Sequence, residues 1–182
     1  MREIYSKLRA AGLSHAGACG IIGNLKAESS LIPNIAQRGM TTLSDEDYTT
    51  KFDNDPDGCI RDSVGYGLAQ WTFWSRKQAL WNYARRHGES VGDRVVQLDF
   101  IVFELGQDYP ELLDFLRSTQ DIYAAADRVC REYERPAVNN VDRRYSFAME
   151  ADALCRDKAQ GSLQRIIPLL EQILSILKEG AA

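Results

Sequence analysis

Apolar positions recur along most of this chain at helical spacing. Glu3 to Ala11 reads as a short amphipathic helix stopped by Gly12, after which Ser14 offers an oxygen to cap a second helix running to about Ser29. In that second helix Ala18, Ile21, Ile22 and Leu25 follow i, i+3, i+4, i+7 spacing and form one stripe, and Pro33 prevents a long continuation. Helical signals return after Thr72. Trp74 to His87 ends at Gly88, Asp93 to Leu105 ends at Gly106, and further segments start near Pro110, Asp121 and Asn140. Leu80, Trp81, Val95, Leu98, Phe100, Ile101, Phe103 and Leu105 supply most of the expected core.

Between Pro33 and Ser63 the helical period disappears and Asp, Thr and Gly accumulate, which predicts a long polar loop with one small hairpin, anchored by Tyr48 and Phe52. The last segment, "LQRIIPLLEQILSILKEG", is apolar again, and Pro168 should bend or restart its helix. The expected architecture is mainly α, with a helical domain over residues 1–158 and a C-terminal apolar helix over 162–179. Nine Leu and Ile residues from Leu163 to Leu177 cover too wide an arc for a solvated helix. That helix should dock on its own domain or on a second copy of the chain. The joint "AQGS" before it favours the homodimer.

Composition removes several function classes. The chain has 182 residues, 45% of them apolar, enough for one core of ordinary size. Its 22 basic and 26 acidic residues give a formal charge of -4, so nucleic acid is not an expected partner. No run approaches the roughly 18 apolar residues of a membrane span, and the C-terminal charges cancel, which argues against stable membrane insertion. "MREIYSKLRAAG" lacks the pattern of a signal peptide, so cytoplasmic synthesis is expected. Cys19, Cys59, Cys130 and Cys155 form no C-x-x-C pair and only His15 and His87 could join them, so no metal is expected; buried thiols are the favoured state, a Cys130–Cys155 bridge the alternative.

The stretch "GNLKAESSLIPN" places Glu28 in the last turn of the second helix, beside Ile21 and Leu25 at the edge of the apolar stripe. A carboxylate at a helix C-terminus opposes the macrodipole, and partial burial disfavours its anion further. Both effects suit an acid that must hold and donate a proton near neutral pH. In "DSVGYGLAQWT", Gly65 and Gly67 flank Tyr66 and allow close backbone approach to a ligand, while Gln70 and Trp71 offer an amide and a flat ring. An acid, a polar loop and an amide-aromatic wall suit a sugar polymer.

"GNLKAESSL" followed by "GYGLAQW" and then "YERPAVNN" resembles the phage tail lysozyme family over roughly Glu3 to Leu154. The pair "ES" and "GYGLAQ" is also similar to goose-type lysozymes and lytic transglycosylases, whose catalytic glutamate ends a helix just before a serine, a match that falls on Glu28 and Ser29. The resemblance implies a lysozyme-like fold and a peptidoglycan hydrolase that cleaves the β-1,4 bond between N-acetylmuramic acid and N-acetylglucosamine. It implies Glu28 as general acid, no cofactor, and delivery to the wall through a membrane pore or on a virion. It places substrate near Ser29, Tyr66, Gln70 and Trp71, and near Tyr133, by order the analogue of a tyrosine that borders the glutamate in lytic transglycosylases.

For a second carboxylate, Asp62 is the nearest match to the acid before the glycine-rich motif of goose-type enzymes, and Asp47 is next. Thr72 stands where those enzymes carry an acid after the glutamine. That departure favours a lytic transglycosylase, in which the sugar's own 6-hydroxyl attacks to give 1,6-anhydro ends. Two other classes stay open: a non-catalytic wall-binding or assembly module, and a peptidase with Cys19 as nucleophile and His15 as base.

Overall fold

The computed structural model describes residues 1–179, with the side chains of 157–165, 169 and 174–179 outside the described set. Its helices are α1 (Arg2–Ala10), α2 (His15–Ser29), α3 (Asp45–Asn54), α4 (Pro56–Arg61), α5 (Trp74–His87), α6 (Arg94–Asp108), α7 (Pro110–Ser118), α8 (Ile122–Arg128) and α9 (Val141–Glu179). Val129–Glu134 continues α8 as a π-helix. Among the described residues no helix is long and apolar enough to cross a membrane.

Helix α2 is the axle of the domain. Ser14 caps it through Oγ, which accepts from Gly17 N at 2.9 Å. The sequence suggests one apolar stripe, yet every residue from Ala16 to Leu25 is buried, so α2 is enclosed on all sides. Gly17, Gly20 and Gly23 explain how. A Cβ at these positions would lie 2.0 Å from Leu116 O, 2.6 Å from Ala125 Cβ and 2.3 Å from Arg144 O, so their absence lets α7, α8 and α9 pack directly on the α2 backbone. Asn24, fully buried among them, donates to Gly20 O (2.9 Å) and Ala126 O (3.0 Å).

The helix over Trp74–His87 has its predicted bounds and ends at Gly88 in the left-handed region (φ 72°). Asp93 and Asp121 cap α6 and α8, and Pro110 is the first residue of α7. Helix α6 runs past Gly106 to Asp108. Of the expected core, Leu80, Leu98, Phe100, Ile101 and Leu105 are buried, whereas Val95 (52% exposed) and Phe103 (43%) face outward.

The expected loop from Pro33 to Ser63 contains two helices instead. Ser44 caps α3 from its Oγ, and Tyr48 and Phe52, four residues apart on that helix, carry it onto the core. Two apolar residues among ten leave too thin a stripe for periodicity to stand out. In place of the hairpin, Tyr66 pairs with Trp71 through two backbone hydrogen bonds (3.1 and 2.9 Å) and bridges to Ala36.

The C-terminal segment also departs from expectation, because the α9 backbone stays helical through residues 159–162 and through Pro168. Ile166, Ile167, Leu170 and Ile173 are each about half exposed, so the domain does not cover them. The other apolar residues of that run lie outside the described side chains.

Candidate active site

The C-terminal end of α2 opens into a cleft of about 670 Å³ lined by Glu28, by 35–38, by Gln70, Thr72 and Phe73, by Arg76 on α5, and by Glu134 to Ala137. Four non-glycine residues have positive φ among those described, and two of them line this cleft. Ser30 (54°) and Leu31 (66°) turn the chain directly after Ser29, while Gln70 (45°) and Arg135 (49°) are in the lining. Such conformations are costly and tend to collect where a site must be shaped.

Glu28 is held from α9. Arg144, 6% exposed, donates from Nη2 to Glu28 Oε1 (2.5 Å) and from Nη1 to Asn24 Oδ1 (3.0 Å). Asn24 therefore sets Arg144, which sets Glu28 (side chain 20% exposed) at the cleft. No other hydrogen bond reaches this carboxylate among the described residues.

A second acid lies in the same cleft: Glu134, the last residue of the π-helix, where Arg135 turns left-handed and Pro136 follows. Its Oε1 is buried with no hydrogen-bond partner. Burial first, and then the nearby charge of Glu28, push its carboxyl well above the usual carboxylate range, against the opposing pull of Arg76 and Arg144. A π-helical turn widens the backbone and often marks a functional position.

The other predicted site residues divide. Gln70 lines the cleft, its Nε2 donating to Gly67 O (3.0 Å) and Ile35 O (3.3 Å). Ser29 is buried beside it, donating from Oγ to Leu25 O at 2.9 Å. Tyr66 and Trp71 are fully buried and present no face to a ligand. Tyr66 bonds Thr49 Oγ1 (2.7 Å) and stacks on Tyr48. Trp71 Nε1 (3.2 Å) and Tyr133 Oη (2.6 Å) both donate to Glu104 Oε2, which with Oε1 also binds Arg76 in a two-pronged pair (2.6 and 2.8 Å). Trp71 and Tyr133 thus stand behind the wall and, through Glu104, fix Arg76 in it. Gly65 and Gly67 admit the chain's own Gln37 and Gln97, which receive the backbone N–H groups of Gly65 and Leu68. The ring that does face the cleft is Phe73, 74% exposed.

Neither proposed aspartate lines the cleft. Asp62 accepts from buried Lys77 (2.5 Å) and Tyr48 (2.9 Å) and caps Val64 N (3.0 Å), so its charge balances an interior cation. Asp47, exposed in the first turn of α3, accepts from Ser44 Oγ (2.6 Å).

His15, Cys19 and Asp152 come together at the opposite end of α2. His15 Nε2 lies 2.5 Å from Asp152 Oδ1 and 3.8 Å from Cys19 Sγ, while Nδ1 meets Tyr5 Oη (2.7 Å). One ring nitrogen faces both acid and thiol, so no relay runs through the imidazole. Burial and Asp152 push the Cys19 thiol up to about 12, which removes the thiolate a peptidase needs. Cys130 Sγ donates to Asn139 Oδ1 (3.1 Å) rather than bridging to Cys155.

Sequence reasoning passed over Glu134, Arg144, Asn24 and Phe73. The signal for Glu134 was the one used for Glu28, a glutamate in the last turn of a helix, here in "YERP". No curated protein matches the chain. A family model described as phage tail lysozyme matches residues 1–153, which include α1 to α8 and the first third of α9 that holds Arg144. The chain belongs to the phage tail lysozyme family, whose activity is lysozyme-like lysis of peptidoglycan.

Proposed function

We propose that this enzyme cleaves the β-1,4 bond between N-acetylmuramic acid and N-acetylglucosamine in peptidoglycan, with Glu28 as a catalytic carboxylate. The observation that carries this is the placement of Glu28: a rigid, enclosed helix ends in a carboxylate that opens into a cleft, with Arg144 on one oxygen. A glycan strand needs hydrogen bonds along its hydroxyl and acetamido groups and an apolar face for its rings. Gln37, Arg38, Gln70 and Thr72 supply the first and Phe73 the second.

Among the described residues, the acids in the cleft lining are Glu28 and Glu134. Two carboxylates favour hydrolysis by water over attack by the sugar's own hydroxyl, since one can protonate the leaving oxygen while the other takes the proton of water. Thr72, in the lining where related enzymes carry an acid, is the observation that keeps lytic transglycosylation as the second chemistry.

Glu28→Gln tests the proposal. The variant should fold as the wild type and lose wall clearance by about 10²- to 10⁴-fold. Wild-type clearance by a folded Glu28→Gln protein would end the glycosidase reading. Mass analysis of the released muropeptides separates the chemistries: hydrolysis leaves reducing ends, and transglycosylation leaves products lighter by one water.

A further inference from the structure

We propose that His15, Cys19, Asp152 and Cys155 hold a zinc ion that clamps α9 to the start of α2. The inference goes beyond the glycosidase reading and does not depend on which bond the cleft cleaves.

The donors come in two helical pairs. His15 and Cys19 are four residues apart on α2, and Asp152 and Cys155 three apart on α9, so each pair projects from one helix face. Neither pair is a C-x-x-C motif, which is why the sequence alone predicts no metal here. His15, Cys19 and Asp152 each bring a donor atom within 4.8 Å of the other two, the one such group among the described residues. Cys155 is buried on the next turn of α9 and interacts electrostatically with Cys19 and Tyr5. One imidazole nitrogen, one carboxylate oxygen and two sulfurs suit tetrahedral zinc, not calcium or magnesium.

Tetrahedral zinc sets its nitrogen and sulfur ligands about 3.6 Å apart, and its nitrogen and oxygen ligands about 3.4 Å apart. His15 Nε2 is 3.8 Å from Cys19 Sγ, and Asp152 Oδ1, at 2.5 Å, needs a side-chain rotation to open that gap. A single N–H on Nε2 can point at the acid or at the thiol, whereas a cation among the three engages both. With zinc on Nε2 the ring proton is on Nδ1, which donates to Tyr5 Oη (2.7 Å), the outer hydrogen bond that orients a ligating imidazole. On binding, both thiols give their protons to solvent. Zn²⁺ with two thiolates and a carboxylate leaves one net negative charge, which Arg156, 2.5 Å from Asp152 Oδ1, offsets from the solvent side. Arg144, which holds Glu28, lies about two turns before Asp152 on the same helix. The ion therefore fixes one end of the contact between α2 and α9, and the Arg144–Glu28 pair fixes the other.

The test strips the full chain with a chelator and titrates it with cobalt(II), a spectroscopic stand-in for zinc, and then with zinc. One equivalent of cobalt should give the strong visible bands of a tetrahedral site and a near-ultraviolet sulfur-to-cobalt band, and zinc should displace both. Cys19→Ser and Cys155→Ser should each halve the sulfur band, whereas Cys130→Ser, whose thiol bonds Asn139, should leave it. Zinc at about a hundred times its dissociation constant should multiply the folding equilibrium about a hundredfold, read as a raised unfolding midpoint that Asp152→Asn no longer shows. Circular dichroism checks that the variants fold, and the wild-type titration decides by itself if one does not. A wild-type chain with no sulfur band, a weak octahedral spectrum, or a midpoint that zinc does not move would overturn the site. A sulfur band at full strength in Cys155→Ser would overturn its ligand set.

Discussion

Lys77 Nζ, fully buried, lies 2.5 Å from Asp62 Oδ1 and 2.8 Å from Cys59 O, so the acid before the glycine-rich motif is the counter-charge of an interior lysine. Asp62→Asn should therefore cost stability. Removing one partner of a buried pair costs about 3 to 5 kcal/mol, and the partial exposure of Asp62 puts the expected loss at the low end. Urea denaturation measures it, and clearance per folded molecule should hold. A fully stable but inactive Asp62→Asn protein would restore Asp62 to the catalytic machinery.

Gly20→Ala probes the packing of α2. The added Cβ would meet Ala125 Cβ at 2.6 Å and the Ala126 N at 2.9 Å, backbone and short side chain that have no rotamer to escape into. An overpacked site of this kind costs about 1 to 3 kcal/mol, outweighing the better helix propensity of alanine. Thermal unfolding should show a lowered midpoint; an unchanged one would mean that α8 stands farther from α2 than described.

The stability of Glu134→Gln should depend on pH in a defined direction. The unfolded chain gives up the Glu134 proton near its ordinary value of about 4.3, while the folded protein keeps it because burial and Glu28 hold that carboxyl higher. Between the two values the folded state binds more protons, so this group lowers stability as pH rises. Glutamine removes the effect. The variant should match the wild type near pH 4 and gain on it above about pH 5, by up to about 1.4 kcal/mol per pH unit. Midpoint differences across that range check the sign, and a variant that loses ground with rising pH would contradict it.

Removal of residues 163–182 should leave wall clearance intact. The cleft, Arg144 and the buried α9 residues Ala148, Ala151 and Asp152 all precede the cut. The exposed Ile166, Ile167, Leu170 and Ile173 make a second copy of the chain the proposed cover for this helix. Light scattering should then give a dimer for the full chain and a monomer for the shortened one. A monomeric full chain would sink the dimer, and an inactive shortened chain would make the segment part of the catalytic domain.

Much of this was legible in the sequence, for physical reasons that also mark where it was not. A cap, such as Asp93 before α6, or a stop, such as Gly88 after Trp74–His87, announces a helix end locally. Glu28 could be placed because a helix end, an apolar stripe and a following proline are all near neighbours in the chain. Tyr66 and Trp71 read as a ligand wall in the sequence because an aromatic ring suits a ligand and a core equally well, and only the positions of Tyr48, Thr49 and Glu104 bury both rings. Asp62 looked free because Lys77, fifteen residues on, shows no sign in the sequence of pointing inward. Arg144, more than a hundred residues from Glu28, is brought to it only by the docking of α9 on α2.

The enclosure of α2 has a consequence for how the enzyme fails. Its amides from Ala16 to Leu25 are covered on every side, so they should exchange with deuterium only when the whole domain opens, and more slowly than those of α3 or α4. Glu28 is anchored to the last element to let go. Heating should leave the cleft in working order up to the cooperative transition, with no cooler range in which the fold survives but catalysis has already gone.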